Sequence, residues 1–135
     1  MQQQSRVVTA SAIALIAQAR VVLAQASMAW DEGERFRLAH LAALRAAAAV
    51  LADRGRPASV RRRLMSVWVL LDRIAPELAE WSQYFAAGAP VRAAVEAGAR
   101  HAVTRRSADD QVRSAAAFVG VVERSLGMLA APLAS

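Results

Sequence analysis

The 135-residue chain contains no cysteine, lysine or asparagine, and only 5% of its residues are aromatic. Without cysteine there are no disulfides, thiolate nucleophiles or cysteine-ligated zinc sites, which is consistent with a reducing compartment. The two histidines and the acidic residues do not follow a metal-ligand spacing such as HxxxH or ExxH. Glycine-rich phosphate loops and the GxSxG nucleophile motif are also absent. We therefore expect neither a metal nor another cofactor.

Long uncharged apolar runs are missing as well. Spanning a bilayer takes about 20 apolar residues, and the longest candidate, residues 7–19, is diluted by polar side chains and closed by Arg20. A secretion signal is an alternative interpretation of the same segment, with Arg6 as its basic start and residues 24–26 as an A-x-A cleavage site. We favour a bundle helix of a cytoplasmic protein that does not contact a membrane.

All 17 basic side chains are arginines, and the formal net charge is +6. A net positive charge keeps a protein soluble and favours anionic partners. An arginine-only composition is also typical of a GC-rich genome. The charge alone therefore does not identify nucleic acid as the partner.

Gly and Pro divide the chain into segments of helical periodicity, and no alternating β-branched run predicts a strand. The second helix is predicted to open at Asp31, with Glu34 completing a capping-box pattern, and to stop at Gly55. The other predicted helices are one over about residues 5–26, one around residues 64–71, one that starts at Pro76, a short one between Pro90 and Gly98, and a last one from Ser107 to Gly127.

Apolar stripes on these segments predict that they pack together. The first and last segments repeat apolar residues at alternating spacings of four and three, which is a seam facing other helices. The bulky side chains expected in the core are Phe36, Trp68, Trp81, Phe85 and Phe118. Because helices with short connections form antiparallel bundles, we predict an all-α, single-domain bundle of about five helices over residues 5–127. A C-terminal tail follows over residues 128–135.

His40 interrupts the apolar side of the second predicted helix, where it lies between Ala47 and Leu51 at about 100° per residue. Two interpretations stay open. A buried imidazole is usually neutral and hydrogen-bonded locally, whereas an imidazole in a cleft can act as a general acid or base. Arg37 can reach the same side, but Arg35 points about 140° away. A pair between Arg35 and His40 therefore needs a distorted helix or a partner chain.

Five arginines follow this helix within ten residues, with no acidic residue among them: Arg54, Arg56, Arg61, Arg62 and Arg63. Guanidinium groups bind phosphates in bidentate geometry, so this loop is a candidate site for RNA, DNA or a nucleotide phosphate. A solvated loop is the alternative. The loop holds no aromatic residue for base stacking, which argues against sequence-specific readout of single strands by the loop alone.

A second basic cluster precedes the last predicted helix: Arg100, His101, Arg105 and Arg106. The start of a helix can hold an anion, but Asp109 and Asp110 place negative charge there. We favour a capped, charged connection, with Arg105 and Arg106 as additional phosphate-binding candidates.

Three runs of the chain resemble a small actinobacterial family of HEPN domains: ERFRLAHLAALRAAAAVLADRGRP, VWVLLDRIAPELAEWSQYFAAGAPVRAAVEAG and AVTRRSADDQVRSAAAFVGVVERSLG. The resemblance covers about residues 7–127. It implies an antiparallel bundle of four or five helices that is often a homodimer, and in many members a metal-independent ribonuclease. The usual catalytic motif of such ribonucleases is Arg, four to six residues, then His, near the last long helix.

This motif is absent or displaced here. Arg92 and His101 are separated by eight residues, and Arg35 and His40 have the right spacing on the wrong helix. Three hypotheses follow. The protein binds RNA or a nucleotide through its arginines, or it is a non-catalytic protein-interaction or dimerisation module, or it is a metal-independent ribonuclease. In the last case His40 is the general acid–base and Arg37 or Arg35 the phosphate clamp.

We favour binding of RNA or a nucleotide over the other two hypotheses. The competing interaction module predicts that a set of aromatic side chains forms one contiguous exposed patch. That set is Trp30, Trp81 and Tyr84.

Overall fold

A computed structural model describes residues 7–55, 66–99 and 101–128, and every regular element in these residues is helical. The helices are α1 (Ala10–Met28), α2 (Glu32–Arg54), α3 (Val67–Ile74), α4 (Ala79–Glu96) and α5 (Arg105–Ser125), with a 3-10 turn at Pro76–Leu78 before α4. α2 lies at the centre and contacts each of the other four helices. The prediction of an all-α bundle of about five helices is confirmed.

Side-chain caps fix where the first two helices begin. The Thr9 hydroxyl accepts a hydrogen bond from the Ala12 N–H at 3.1 Å, and the Asp31 carboxylate accepts one from the Glu34 N–H at 2.9 Å. Such bonds satisfy backbone donors that have no partner inside the helix. α2 ends at Gly55, whose φ of 85° lies in the left-handed region that favours glycine. Both predicted ends of α2 are confirmed.

The predicted start of the last helix is two residues too late, because α5 begins at Arg105 with Thr104 as its cap. The Thr104 hydroxyl accepts from the Ser107 N–H at 3.0 Å, and the Ser107 hydroxyl accepts from the Thr104 N–H at 3.1 Å. Ser107 thus occupies the third position of a capping box, where its hydroxyl takes the role that a Glu or Gln side chain usually has. Asp109 and Asp110 were expected in the first turn of this helix, but they lie beyond it.

The short helix predicted after Pro90 does not exist as a separate element, because Pro90 lies inside α4. Proline usually breaks a helix, since it lacks an N–H and its ring crowds the carbonyl four residues earlier. Here Val91 and Val95 pack against the buried Phe36 side chain. This packing holds the second half of α4 in line with the first, so tertiary contact overrides the local signal.

α1 and α2 form a helical hairpin with an alanine-rich seam. Ala12, Ala19 and Ala26 of α1 are fully buried. The fully buried alanines of α2 are Ala39, Ala42, Ala43, Ala46, Ala47 and Ala49. Small side chains let two helix axes approach closely, so this seam is held by near-backbone contact rather than by bulky side chains.

α1 is also, within the described residues, long and apolar enough to cross a membrane by length and composition, with Arg20 as its one charge. The same test is passed by the core helix of a soluble protein and by a signal sequence. In the bundle the inner side of α1 is buried, and Arg20 forms a bidentate ion pair with Glu123 of α5, with Nε–Oε2 at 2.9 Å. These contacts are those of a bundle helix.

An aromatic core lies where α2, α3, α4 and α5 meet, and Phe85 is at its centre. The Phe85 ring is fully buried. Its centroid lies 4.9–6.4 Å from those of His40, Trp68, Trp81, Tyr84 and Phe118. Of the bulky side chains predicted for the core, Trp81 alone is half-buried.

Candidate functional site

His40 lies in the aromatic core, and only 1% of its surface is exposed. Its ring stacks on Phe36 and meets the edges of Trp68 and Phe85. Nε2 lies 3.1 Å from the Phe85 carbonyl oxygen, so we place the proton on Nε2, which donates this bond. Burial lowers the pKa of the His40 imidazole below its ordinary value, although the bond to the Phe85 carbonyl acts in the opposite direction. This geometry matches the interpretation of His40 as a neutral core histidine.

Four polar side-chain atoms of His40 and its surroundings lack hydrogen-bond partners in the described part of the chain: His40 Nδ1, Trp68 Nε1, Gln111 Nε2 and Arg92 Nε. His40 and Gln111 meet at Gly88 of α4, where an added methyl group would lie 3.5 Å from His40 Cδ2 and 3.5 Å from Gln111 Nε2. The positive charge near His40 comes from Arg92. Sequence reasoning missed Gln111, and it considered Arg92 only as a motif partner of His101. The available signal was that Gln111 falls on the apolar stripe of the last helix, three residues after Ala108.

Arg35, one of the two arginines predicted to assist His40, points away from it. Its Nη1 donates to Asp109 of α5 at 2.7 Å, and its Nε and Nη2 donate to the carbonyls of Ala29 and Trp30 at 2.9 and 3.2 Å. Arg35 therefore ties the α1–α2 connection to α5. As the helical wheel predicted, it does not reach His40 within one chain.

Arg37, the other predicted clamp, forms a bidentate pair with Glu34 through Nε and Nη2 at 2.9 and 2.8 Å. This hydrogen-bonded pair lowers the pKa of the Glu34 carboxyl. With His40 enclosed and both arginines bound to carboxylates, the described chain does not assemble the hypothesised acid–base site. RNA cleavage by His40 stays a prediction.

The first arginine cluster is described only at its beginning, because Arg56, Arg61, Arg62 and Arg63 lie outside the described residues. Arg54 is the last residue of α2. Its Nη2 pairs with Glu77 Oε2 at 2.5 Å, and this contact lowers the pKa of the Glu77 carboxyl. Arg54 therefore joins the end of α2 to the turn before α4, so its charge is already balanced by a carboxylate.

The second cluster is more open. Arg105 and Arg106 are exposed at the start of α5, and neither forms an ion pair within the described residues. His101 is exposed as well, while Arg100 lies outside the described residues. The expected capped connection is confirmed by the Thr104–Ser107 box, and it leaves both guanidinium groups accessible.

Arg105 contributes to an open groove of about 620 Å³ at this end of the bundle, which we call the Trp30 groove. Its lining residues are Ser27, Trp30, Glu32, Arg35, Arg105, Asp109, Val112 and Arg113. Trp30 is 87% exposed. The ion pair of Arg35 with Asp109 joins the side of the groove formed by the α1–α2 connection to the side formed by α5. Arg113 is paired with Asp110.

The Trp30 groove and Arg54 lie at opposite ends of α2. Arg35 stands near the start of α2, and Arg54 is its last residue. At about 1.5 Å per residue, the two positions are about 28 Å apart along the helix axis. Arg54, the described member of the first cluster, is therefore not part of one compact site with the Trp30 groove within a single chain.

Of the three aromatic residues that would mark a protein interface, Trp30 and Tyr84 are exposed and Trp81 is not. Trp81 is half-buried against Phe85 and Phe118. The Tyr84 hydroxyl donates to Gln111 Oε1 at 3.3 Å and accepts from Ser114 at 3.1 Å. Trp30 lies in the α1–α2 connection and lines the Trp30 groove.

No group of three His, Asp or Glu side chains suited to a metal ion occurs in residues 7–55, 66–99 and 101–128. The HEPN_SAV_6107-like HEPN family model matches residues 26–123. No curated protein and no solved structure shows significant similarity to the chain. The matched region begins at the end of α1 and includes His40 and the α2 and α5 residues of the Trp30 groove. Because the match spans well over half of an all-α bundle, this chain belongs to the HEPN_SAV_6107-like HEPN family.

Proposed function

We propose that the protein binds RNA or a nucleotide through Arg105 and Arg106, with the arginines of residues 54–63 as further phosphate contacts. The observation that carries the proposal is that Arg105 and Arg106 are consecutive residues at the start of α5, are both exposed and form no ion pair within the described residues, so that two unpaired guanidinium groups lie at one helix start. Free guanidinium groups bind phosphates in bidentate geometry. The other predicted site arginines of the described chain, Arg35, Arg37 and Arg54, are each paired with a carboxylate.

Replacing Arg105 and Arg106 together by alanine should weaken RNA binding. A plot of the logarithm of the binding constant against the logarithm of the salt concentration should become shallower by about 1.4, since each phosphate contact with a single strand contributes about 0.7 to this slope and two contacts are lost. The measurement is fluorescence anisotropy of a labelled single-stranded RNA between about 50 and 200 mM salt. We expect about tenfold weaker binding at the low-salt end.

A matched control removes the same charge elsewhere. Arg73 and Arg124 are exposed in the last turns of α3 and α5, so their double replacement by alanine should leave the affinity within about twofold. An equal loss in both double variants would show that only net charge matters and would contradict the proposal. The triple replacement of Arg61, Arg62 and Arg63 by alanine tests the loop in the same assay, and unchanged tight binding would remove the loop from the site.

The outer face of α1 favours self-association as a second candidate function. Ile13, Val21 and Met28 are 49%, 58% and 84% exposed. With Ala17 and Ala24, at spacings of three and four, they share one side of the helix. A contiguous apolar helix face open to solvent is typical of an interaction surface. A homodimer, which the family resemblance leads us to expect, could pair two copies of this face.

Replacing Ile13 and Val21 by glutamate should therefore convert a dimer into a monomer, since each interface would bury four unpaired carboxylates. Sedimentation equilibrium over a range of concentrations measures the mass. Ser11 and Gln18 are exposed on a different side of α1, so their replacement by glutamate adds the same charge and should leave the dimer intact. A wild-type protein that sediments as a monomer at every concentration rules out this candidate.

A further inference from the structure

We infer that the Trp30 groove selects unpaired nucleotides, with the Trp30 indole stacking on a base of a single strand and Arg105 holding a nearby phosphate. The inference rests on the proposed binding of RNA or a nucleotide. It adds the form of nucleic acid that the site accepts, which is single-stranded rather than duplex.

Trp30 is displayed to solvent on a fixed piece of backbone. Its side chain is 87% exposed, whereas tryptophan is on average among the more buried residues. Arg35 donates to the carbonyls of Ala29 and Trp30 at 2.9 and 3.2 Å while its Nη1 binds Asp109 at 2.7 Å. The connection is thereby anchored to α5. The backbone that carries the indole is therefore held before binding, so a stacking ligand has to order only the Trp30 side chain.

Charge in the groove is divided between its two sides. Arg35 and Arg113 are paired with Asp109 and Asp110, so Arg105 is the lining arginine whose charge has no ion-pair partner in the described residues. Phosphate is therefore favoured on the α5 side. Glu32 lies on the same side as Trp30, where its carboxylate repels phosphate and can accept hydrogen bonds from ribose hydroxyls or base amino groups.

This arrangement matches the parts of a nucleotide: a flat base against the indole, hydroxyl groups near Glu32 and an anionic group near Arg105. The groove volume of about 620 Å³ lies within the usual range for small-molecule sites. In a duplex both faces of each base are already covered by neighbouring bases, so a base must be unstacked before the indole can contact it. Stacking on an aromatic side chain strengthens single-strand binding by about tenfold to a hundredfold per base. The groove therefore discriminates against duplexes.

The test compares a labelled single-stranded RNA of about 12 nucleotides with the same sequence in a duplex, by fluorescence anisotropy at constant salt. The wild-type protein should bind the single strand more tightly. Trp30→Ala should weaken single-strand binding by about tenfold or more and leave duplex binding unchanged, while Trp30→Phe should retain most of the preference. Val69→Ala is the matched control, because Val69 is a 45% exposed apolar side chain of α3 that lies neither in the lining of the groove nor on the outer face of α1.

Intrinsic fluorescence gives a second readout. Trp68 is buried and Trp81 half-buried, so quenching of the largely exposed Trp30 should account for the change in emission on binding, and Trp30→Phe should abolish it. Failure of the wild-type protein to bind either RNA form would overturn the RNA-binding part of the proposed function and this inference with it. Equal binding of both forms, or binding unaffected by Trp30→Ala, would leave the proposed function standing and overturn the inference. Loss of the dimer in Trp30→Ala with unchanged RNA affinity would assign the groove to a protein contact instead.

Discussion

Replacing Phe85 by alanine should lower the free energy of unfolding by about 3–5 kcal/mol, the usual cost of removing a fully buried aromatic ring. Phe85 is 0% exposed and its ring meets five other aromatic rings from α2, α3, α4 and α5. Those neighbours come from four helices, so the cavity cannot close by the movement of a single side chain. Urea denaturation followed by far-UV circular dichroism measures the change.

Trp30→Ala provides the control for this prediction, because it also removes a large aromatic ring but from an 87% exposed position. Its effect on the free energy of unfolding should stay within about 0.5 kcal/mol. If the two substitutions destabilise the protein equally, the aromatic core is not what holds α4 in the bundle. A Phe85→Ala variant that is too unstable to fold is replaced by Phe85→Leu, for which a smaller loss in the same direction is expected.

Acidification from about pH 7.5 to 5.5 should destabilise the protein, and His40 should account for the loss. In the unfolded chain the imidazole takes up a proton near its ordinary pKa of about 6.5. In the folded protein, burial lowers the pKa of His40, and the charge of Arg92 acts in the same direction while the Phe85 carbonyl and Glu96 oppose it. The unfolded state therefore binds more protons below about pH 6.5.

The stability that neutral His40 supports is fully present above the ordinary histidine pKa and is lost as the pH falls towards the lowered folded-state pKa. One proton of difference between the two states changes the free energy of unfolding by up to about 1.4 kcal/mol per pH unit. Chemical denaturation at a series of pH values measures this slope. The lowered pKa values of Glu34 and Glu77 place their titration below this window.

Two histidine variants test whether His40 causes the loss of stability at low pH. His40→Gln should flatten the slope between about pH 7.5 and 5.5, even though the variant is less stable overall. His101→Gln, the same change at an exposed histidine, is the matched control. A slope that survives His40→Gln and disappears in His101→Gln would contradict the assignment.

The fold was predictable from the sequence where nearby residues alone determine where a helix begins or ends. Asp31, Glu34 and Gly55 define α2 from within a few residues of each end, and the structure places both ends as predicted. Pro90 shows the limit of the same rules. Whether a proline ends a helix depends on the packing of Val91 and Val95 against Phe36, and Phe36 is far away in the sequence.

The candidate site was predictable only in part. Helical spacing sufficed to place His40 on the apolar side of α2 and Arg35 away from it. The partner of Arg35 is Asp109, 74 residues further along the chain, and no helical wheel reveals such a contact. The Trp30 groove depends on that contact, so it was missed. The available signal was a tryptophan directly before the capping residue Asp31, in a short connection that leaves little surface to cover it.

The alanine seam between α1 and α2 has a consequence for the order of folding. An alanine side chain loses essentially no rotamer freedom on burial, and the two helices are neighbours in the chain, joined by a short connection. Their association therefore closes only a small loop and orders few side chains. Contacts of this local kind form early and allow fast folding. The α1–α2 hairpin is thus suited to act as the nucleus on which the aromatic side chains of α3, α4 and α5 later assemble.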